Sequence, residues 1–289
     1  MKQLKLKIQL AGLRTYLNSL ALVSELKAGK VALAIFCRPR KGKLTDENRK
    51  TLSSATWETL SLRNLTIQTY HWAGEKPTIL LAHGWESNAA RWQQWVKKLR
   101  KQGYSVVAMD APAHGESGSA QFNAFLYAEM MGVVAERFQP IAIIGHSVGA
   151  FAAAFYATHF LTPSVKRLVL LAPPSELNQI FDKYLDFMQV SGKVRGGFYK
   201  KFESLFNHPV SYFSIKERIK SLKIKGLVIH DKGDDICAFS DGEQIHANWK
   251  GSEFIATEGY GHTLRHESVS NMVVDYLKKE FLEIGTFAP

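Results

Sequence analysis

The sequence predicts an α/β protein: a mostly parallel, doubly wound sheet with a small helical insertion. Three observations point there. Short apolar runs alternate with helix-length amphipathic segments from about residue 64 to 283. Some of those runs, AIIG (142–145) and LVLLA (168–172), are apolar without alternation, as strands covered on both faces are. One stretch, 175–222, breaks the alternation with helical, aromatic-rich sequence.

The elements read as follows. Residues 65–72 and 78–83 are strands; 87–104 has helical periodicity and stops at Gly103. Residues 105–110 form a strand, 122–138 a helix, 141–146 a strand and 148–160 a helix. Strands at 166–172, 226–230 and 253–258 complete the sheet, with helices at 240–250 and from about 267 to 283. Ser240 and Glu243 have the spacing of a capping box for the first of these two helices. The chain therefore divides into an N-terminal extension (1–50), a core (51–174 and 223–289) and a helical cap (175–222). Phe181, Phe198 and Phe202 are among the many aromatics of that cap. They either face an apolar substrate or form the cap's own core.

At 289 residues and 46% hydrophobic composition, the chain can bury a large core, and disorder is not indicated. The net charge of +11 is uneven: residues 1–50 hold 12 Lys and Arg against three Asp and Glu. Attraction of this segment to anionic membranes is one reading, and a solvated basic helix face is the other. No aromatic-basic pattern accompanies the charge, so nucleic acid is not an expected partner. Cys37 and Cys237 make neither a disulfide framework nor zinc spacing. The N-terminal stretch is too polar for a signal-peptide core, and no run approaches a membrane span. A soluble, cytoplasmic protein is expected.

The chemistry begins at GHSVG (145–149), which follows a strand and opens a helix. This is the setting of a nucleophile elbow. So tight a turn puts Ser147 in a strained backbone conformation and lifts its hydroxyl above the sheet. Gly145 and Gly149 leave room for neighbouring backbone, and the helix amino end beneath favours negative charge. A serine needs a base, and in such sites the chain order is serine, acid, histidine. His262, between glycines in EGYGHT just past the last strand, can swing back over the strand ends. His230, His246 and His266 read as packing or surface residues. The acid comes from HDKGDDICAF (230–239), which holds Asp231, Asp234 and Asp235. That cluster lacks the alternation and distal glutamate of a calcium loop. An oxyanion needs two backbone donors: the N–H of Val148 and, from the turn after an earlier strand, that of Trp85. The Trp85 ring either lines the acyl pocket or packs.

With these pieces the chain resembles the α/β-hydrolase superfamily, in particular its small serine hydrolases with a helical cap. HGW (83–85), DAPAHGES (110–117), GHSVG (145–149), the aspartate loop and GYGH (259–262) carry the likeness over residues 65–283. The family's acid usually precedes a D-x-x-V-P pattern, which aligns here at Asp234 and favours it over Asp235. Ala113 and Ala238 stand where the family has glycine and proline. A serine rather than an aspartate nucleophile argues against dehalogenase and epoxide-hydrolase chemistry. The resemblance implies a serine hydrolase that needs no cofactor or metal, and it does not itself specify a substrate; an ester or thioester is expected, and the aromatic cap suggests an apolar acyl group. Ser147, His262 and Asp234 would be its triad. Acyl transfer or a lyase reaction in the same pocket, or a non-catalytic receptor or membrane-associated module, are the other readings.

Overall fold

The computed structural model describes residues 2–283. They fall into two compact units: 2–38 with 176–214, and 39–175 with 215–283. In chain order the helices are α1 (Lys2–Val23), α2 (Glu25–Phe36), α3 (Asp46–Leu52), α4 (Gln93–Lys101), α5 (Ala124–Phe138) and α6 (Val148–His159). They continue with α7 (Leu177–Met188), α8 (Gly192–Phe206), α9 (Ile215–Arg218), α10 (Phe239–Asn248) and α11 (Glu267–Glu283). The strands are β1 (Thr56–Leu62), β2 (Leu65–Trp72), β3 (Lys76–Ala82) and β4 (Tyr104–Met109). After them come β5 (Ala142–His146), β6 (Arg167–Leu171), β7 (Lys225–Asp231) and β8 (Ser252–Thr257).

Among the described residues the larger unit holds one eight-stranded sheet in the order β1-β2-β4-β3-β5-β6-β7-β8. β3 to β8 run parallel, while β1 and β2 form an antiparallel hairpin whose second strand joins β4. Every residue of β4, β5 and β6 is buried, which is why those segments read as unbroken apolar runs. The order steps outward from β3 in both directions, so the carboxyl ends of neighbouring strands line one rim of the sheet. Ligand sites of open parallel sheets form on such rims.

The structure differs from the sequence expectations in local detail. β1 is an added edge strand whose residues alternate between exposed and half-buried, so its apolar signal is weak. The 87–104 segment is a 3-10 turn (Ala89–Trp92) capped by Asn88, followed by the shorter α4. Within the 1–50 extension and just past it, residues 46–52 form α3, opened by a capping box between Thr45 and Asn48. The Ser240–Glu243 capping box does not form. α10 starts at Phe239 with Ala238 at its cap position, so Ser240 already lies within the first turn.

The smaller unit pairs the N-terminal helices with the inserted ones. α2 crosses α8 at Gly29 and Gly197, where a Cβ on either residue would fall 1.9 Å from the other helix's backbone. Phe181, Phe198 and Phe202 are buried there; Phe181 and Phe198 meet Phe36 and each other edge to face, and Phe181 also meets Phe202 so. These aromatics are the unit's own core. The sequence reading treats 1–50 and 175–222 as separate pieces, whereas contacts group 2–38 with 176–214 and leave 39–50 with the sheet.

Candidate active site

Ser147 sits between β5 and α6 with φ 54° and ψ −125°, the strained conformation a sharp elbow requires. Its glycine neighbours are sterically obligatory. A Cβ at Gly149 would lie 2.4 Å from the His83 carbonyl oxygen, and one at Gly145 2.6 Å from the Gly149 carbonyl oxygen. Ser147 is almost fully buried.

His262 lies in the loop after β8. Its Nε2 is 3.0 Å from Ser147 Oγ, and its Nδ1 is 2.9 Å and 3.0 Å from the two carboxylate oxygens of Asp234. The structure thus brings Ser147, His262 and Asp234 into one hydrogen-bonded chain. Asp235 is exposed.

The three aspartates do different things. Asp234 Oδ1 also accepts the N–H groups of Ile236 and Cys237, each at 2.9 Å. Its burial alone would raise its pKa. Hydrogen bonds from His230 and His262, the His262 charge and the Cys237 N–H outweigh that, and the carboxyl lies well below its ordinary range. Asp231 is fully buried at the end of β7. Its Oδ2 accepts the Thr257 hydroxyl at 2.8 Å and the Tyr260 N–H at 2.9 Å, and its Oδ1 takes the Gly233 N–H at 2.9 Å. It therefore ties the histidine loop to the acid loop. Burial opposes its ionisation, but these bonds hold its pKa below the ordinary value. Among the described residues no group of His, Cys, Asp and Glu is arranged to hold a metal ion.

The turn carrying Trp85 is built on neutral histidines. Burial pushes the His83 pKa down to about 3, so its Nδ1–H donates to the Gly84 carbonyl (2.7 Å) while bare Nε2 accepts the Ala111 N–H (2.9 Å). Burial likewise lowers His114 to about 4, and its Nε2 accepts the Glu86 N–H at 3.0 Å. Asp110 accepts the Ala89 and Glu116 N–H groups and the Tyr70 hydroxyl. These bonds lock residues 83–89 to the 110–117 loop and press Gly84 against Ser147, where a Cβ would be 3.1 Å from the serine Cβ. The Trp85 ring packs edge to face on His114 (5.4 Å) and Phe122 (5.2 Å). Val148 is the first residue of α6, where helix geometry gives its N–H no intrahelical acceptor.

A family model described as the alpha/beta hydrolase fold matches residues 77–221. The chain belongs to this family. It is a hydrolase of the α/β-hydrolase type. It is 21% identical to the monoacylglycerol lipase ABHD6 of Mus musculus, over 71% of this chain and 76% of that one. It is 22% identical to a bifunctional esterase/perhydrolase of Acinetobacter calcoaceticus, over 71% of this chain and 92% of that one. A solved Pyrococcus furiosus esterase superposes with TM-score 0.63 at 19% identity, covering 84% of this chain and 97% of its own; that likeness is one of fold.

From the sequence His230 is expected to pack, and neither His146 nor Arg91 is marked as functional. His230 is buried, with Nε2 3.2 Å from Asp234 Oδ2 and 3.2 Å from the Cys237 carbonyl oxygen. Its spacing, four residues before Asp234, was the only available signal. Arg91 contacts His146, the second residue of the GHSVG turn. Nothing in the local sequence marks that arginine.

Proposed function

We propose that this hydrolase cleaves a carboxylic ester or thioester with an apolar acyl group through an acyl-enzyme on Ser147. The observation that carries this reading is the unbroken chain from Ser147 Oγ through His262 to Asp234. Ser147 attacks the acyl carbon as His262 Nε2 takes its proton. The imidazolium that forms is held by the depressed, ionised carboxylate of Asp234. The oxyanion is held by the N–H groups of Trp85 and Val148, the second at a helix amino end. Collapse expels the alcohol or thiol, which receives the proton from His262. Water then repeats the sequence to release the acid. No cofactor enters any step. The relatives named as an esterase and a lipase support the reaction class. The reading places the enzyme in the cytoplasm, in keeping with Cys37 and Cys237, neither of which is in a disulfide.

Substitution of Ser147 by alanine is the direct test. Ser147→Ala should abolish turnover of p-nitrophenyl esters and labelling by a fluorophosphonate; undiminished turnover would remove the assignment.

The reading includes contact with an anionic membrane through the N-terminal segment. The smaller unit carries 12 Lys and Arg against five Asp and Glu. It also bears exposed apolar side chains at Ile8, Leu22, Val23, Leu26 and Phe187. Basic charge with exposed apolar residues suits an acidic lipid surface, and lipid esters supply apolar acyl groups. Among the described residues no helix is long and apolar enough to cross a membrane. Co-sedimentation with phosphatidylglycerol vesicles, weakened by Leu22→Glu with Val23→Glu, is expected. Equal retention of that double variant would remove the contact.

A further inference from the structure

We propose that Arg91 and His146 are positioning residues that clamp the loop carrying His262, Arg91 doing so partly by fixing the tautomer of His146. This inference rests on the reading of Ser147, His262 and Asp234 as the triad, and adds what keeps the histidine in place.

The geometry is a two-point attachment. Arg91 Nη1 bonds to His146 Nδ1, and Arg91 Nη2 donates to the carbonyl oxygen of Thr263 at 3.1 Å. His146 Nε2 lies 2.9 Å from the carbonyl oxygen of His262 itself. A guanidinium has donors and no acceptor. The His146 nitrogen facing it must therefore carry a lone pair, and the proton must sit on Nε2. Only that tautomer can donate to the His262 carbonyl. Burial, reinforced by the Arg91 charge, also drives the His146 pKa well below its usual value, so the ring stays neutral. Without Arg91 the other tautomer becomes available, and a bare Nε2 would then face the His262 oxygen.

The anchor on the other side is firm. Arg91 lies in the 3-10 turn whose Ala90 N–H is capped by Asn88 (3.1 Å) and whose Ala89 N–H is held by Asp110 (2.8 Å). Its guanidinium lies 4.8 Å from the Trp92 ring centroid. Gly84 makes space for the arrangement, since a Cβ there would stand 2.9 Å from His146 Nδ1. Two backbone carbonyls, at 262 and 263, are thus fixed to the strand and the turn that frame Ser147. Together with Asp231 on the Tyr260 N–H, they hold the loop at both ends of the stretch that bears His262.

The test compares Arg91→Met, Arg91→Lys, His146→Leu and His146→Gln. It measures steady-state kinetics on a p-nitrophenyl ester, the rate of fluorophosphonate labelling and the downfield proton resonance of the His262–Asp234 hydrogen bond. A misplacement of about an ångström at a reacting group costs about 10²-fold in rate. Arg91→Met and His146→Leu should therefore lose on that order in kcat and labelling rate with little change in KM, and their downfield resonance should broaden. His146→Gln keeps an N–H toward the His262 oxygen and Arg91→Lys keeps a donor, so both should recover much of the loss. The inference is overturned if Arg91→Met, folded by circular dichroism, keeps its kcat and a sharp resonance. It is also overturned if Gln and Lys are no better than Leu and Met. Failure of the wild-type protein to label at Ser147 would instead strike the triad reading, and the resonance would still judge the clamp.

Discussion

His230 and His262 share one carboxylate: His230 Nε2 is 3.2 Å from Asp234 Oδ2, the oxygen that also receives His262 Nδ1 at 2.9 Å. The Asp234 carboxylate is thus held from β7 as well as by His262, and both contacts favour its ionised form. The sign for stability follows. A carboxyl depressed by folding adds stability above its unfolded pKa, about 3.9 for aspartate, and loses it as the pH falls through the lower folded value. His230→Leu removes one donor and lets the Asp234 pKa rise toward its ordinary value. The variant should be less stable than wild type at pH 7, with the pH-dependent part of that difference closing as pH falls below about 4. Urea unfolding midpoints across that range check it.

The aspartates of the 230–239 loop should separate by function. Asp234→Asn swaps the acceptor facing His262 Nδ1 for an amide that stabilises neither the correct tautomer nor the imidazolium. A loss in kcat of about 10³–10⁴-fold is expected. Asp231→Asn keeps the shape but weakens the bonds to Gly233, Thr257 and Tyr260. It should cost about 1–3 kcal/mol of stability while kcat falls far less. Kinetics beside denaturant unfolding separates the two, and a reversed ranking would move the acid.

The two departures from the family's motifs make a stability prediction of opposite sign to most substitutions. Ala113 holds φ 65°, the left-handed region that glycine enters freely. Ala238 holds φ −62° and ψ 138°, values proline already has. Ala113→Gly and Ala238→Pro should each stabilise by about 0.5–1 kcal/mol, the first by removing strain and the second by restricting the unfolded chain. Thermal unfolding of each variant measures it.

Gly149→Ala should do the reverse. Its Cβ would meet the His83 and Ala82 carbonyl oxygens at 2.4 Å and 2.5 Å, and both belong to rigid backbone at the end of β3. A loss of about 1–3 kcal/mol is expected, with kcat reduced because the serine must shift with the turn. A variant as stable and active as wild type would show that the turn has more room than this spacing allows.

The α/β layering was legible from residues 65 to 283 because fully buried parallel strands need continuous apolar sequence, and β4, β5 and β6 have it. The serine turn was legible because its geometry admits only small residues at 145 and 149, which leaves a local signature. Choosing among three aspartates lay at the edge of what pattern can do, since local sequence offers three carboxylates and only the fold determines which one faces an imidazole 28 residues away. β1 escaped because an edge strand buries little and so needs little apolar pattern. The pairing of α2 with α8 escaped because a contact between Gly29 and Gly197 leaves no periodic mark. Arg91, His146 and His230 escaped for the same underlying reason. Their meaning lies in which nitrogen faces which oxygen across stretches of 55, 116 and 4 residues, and hydrogen-bond direction is a property of three-dimensional packing alone.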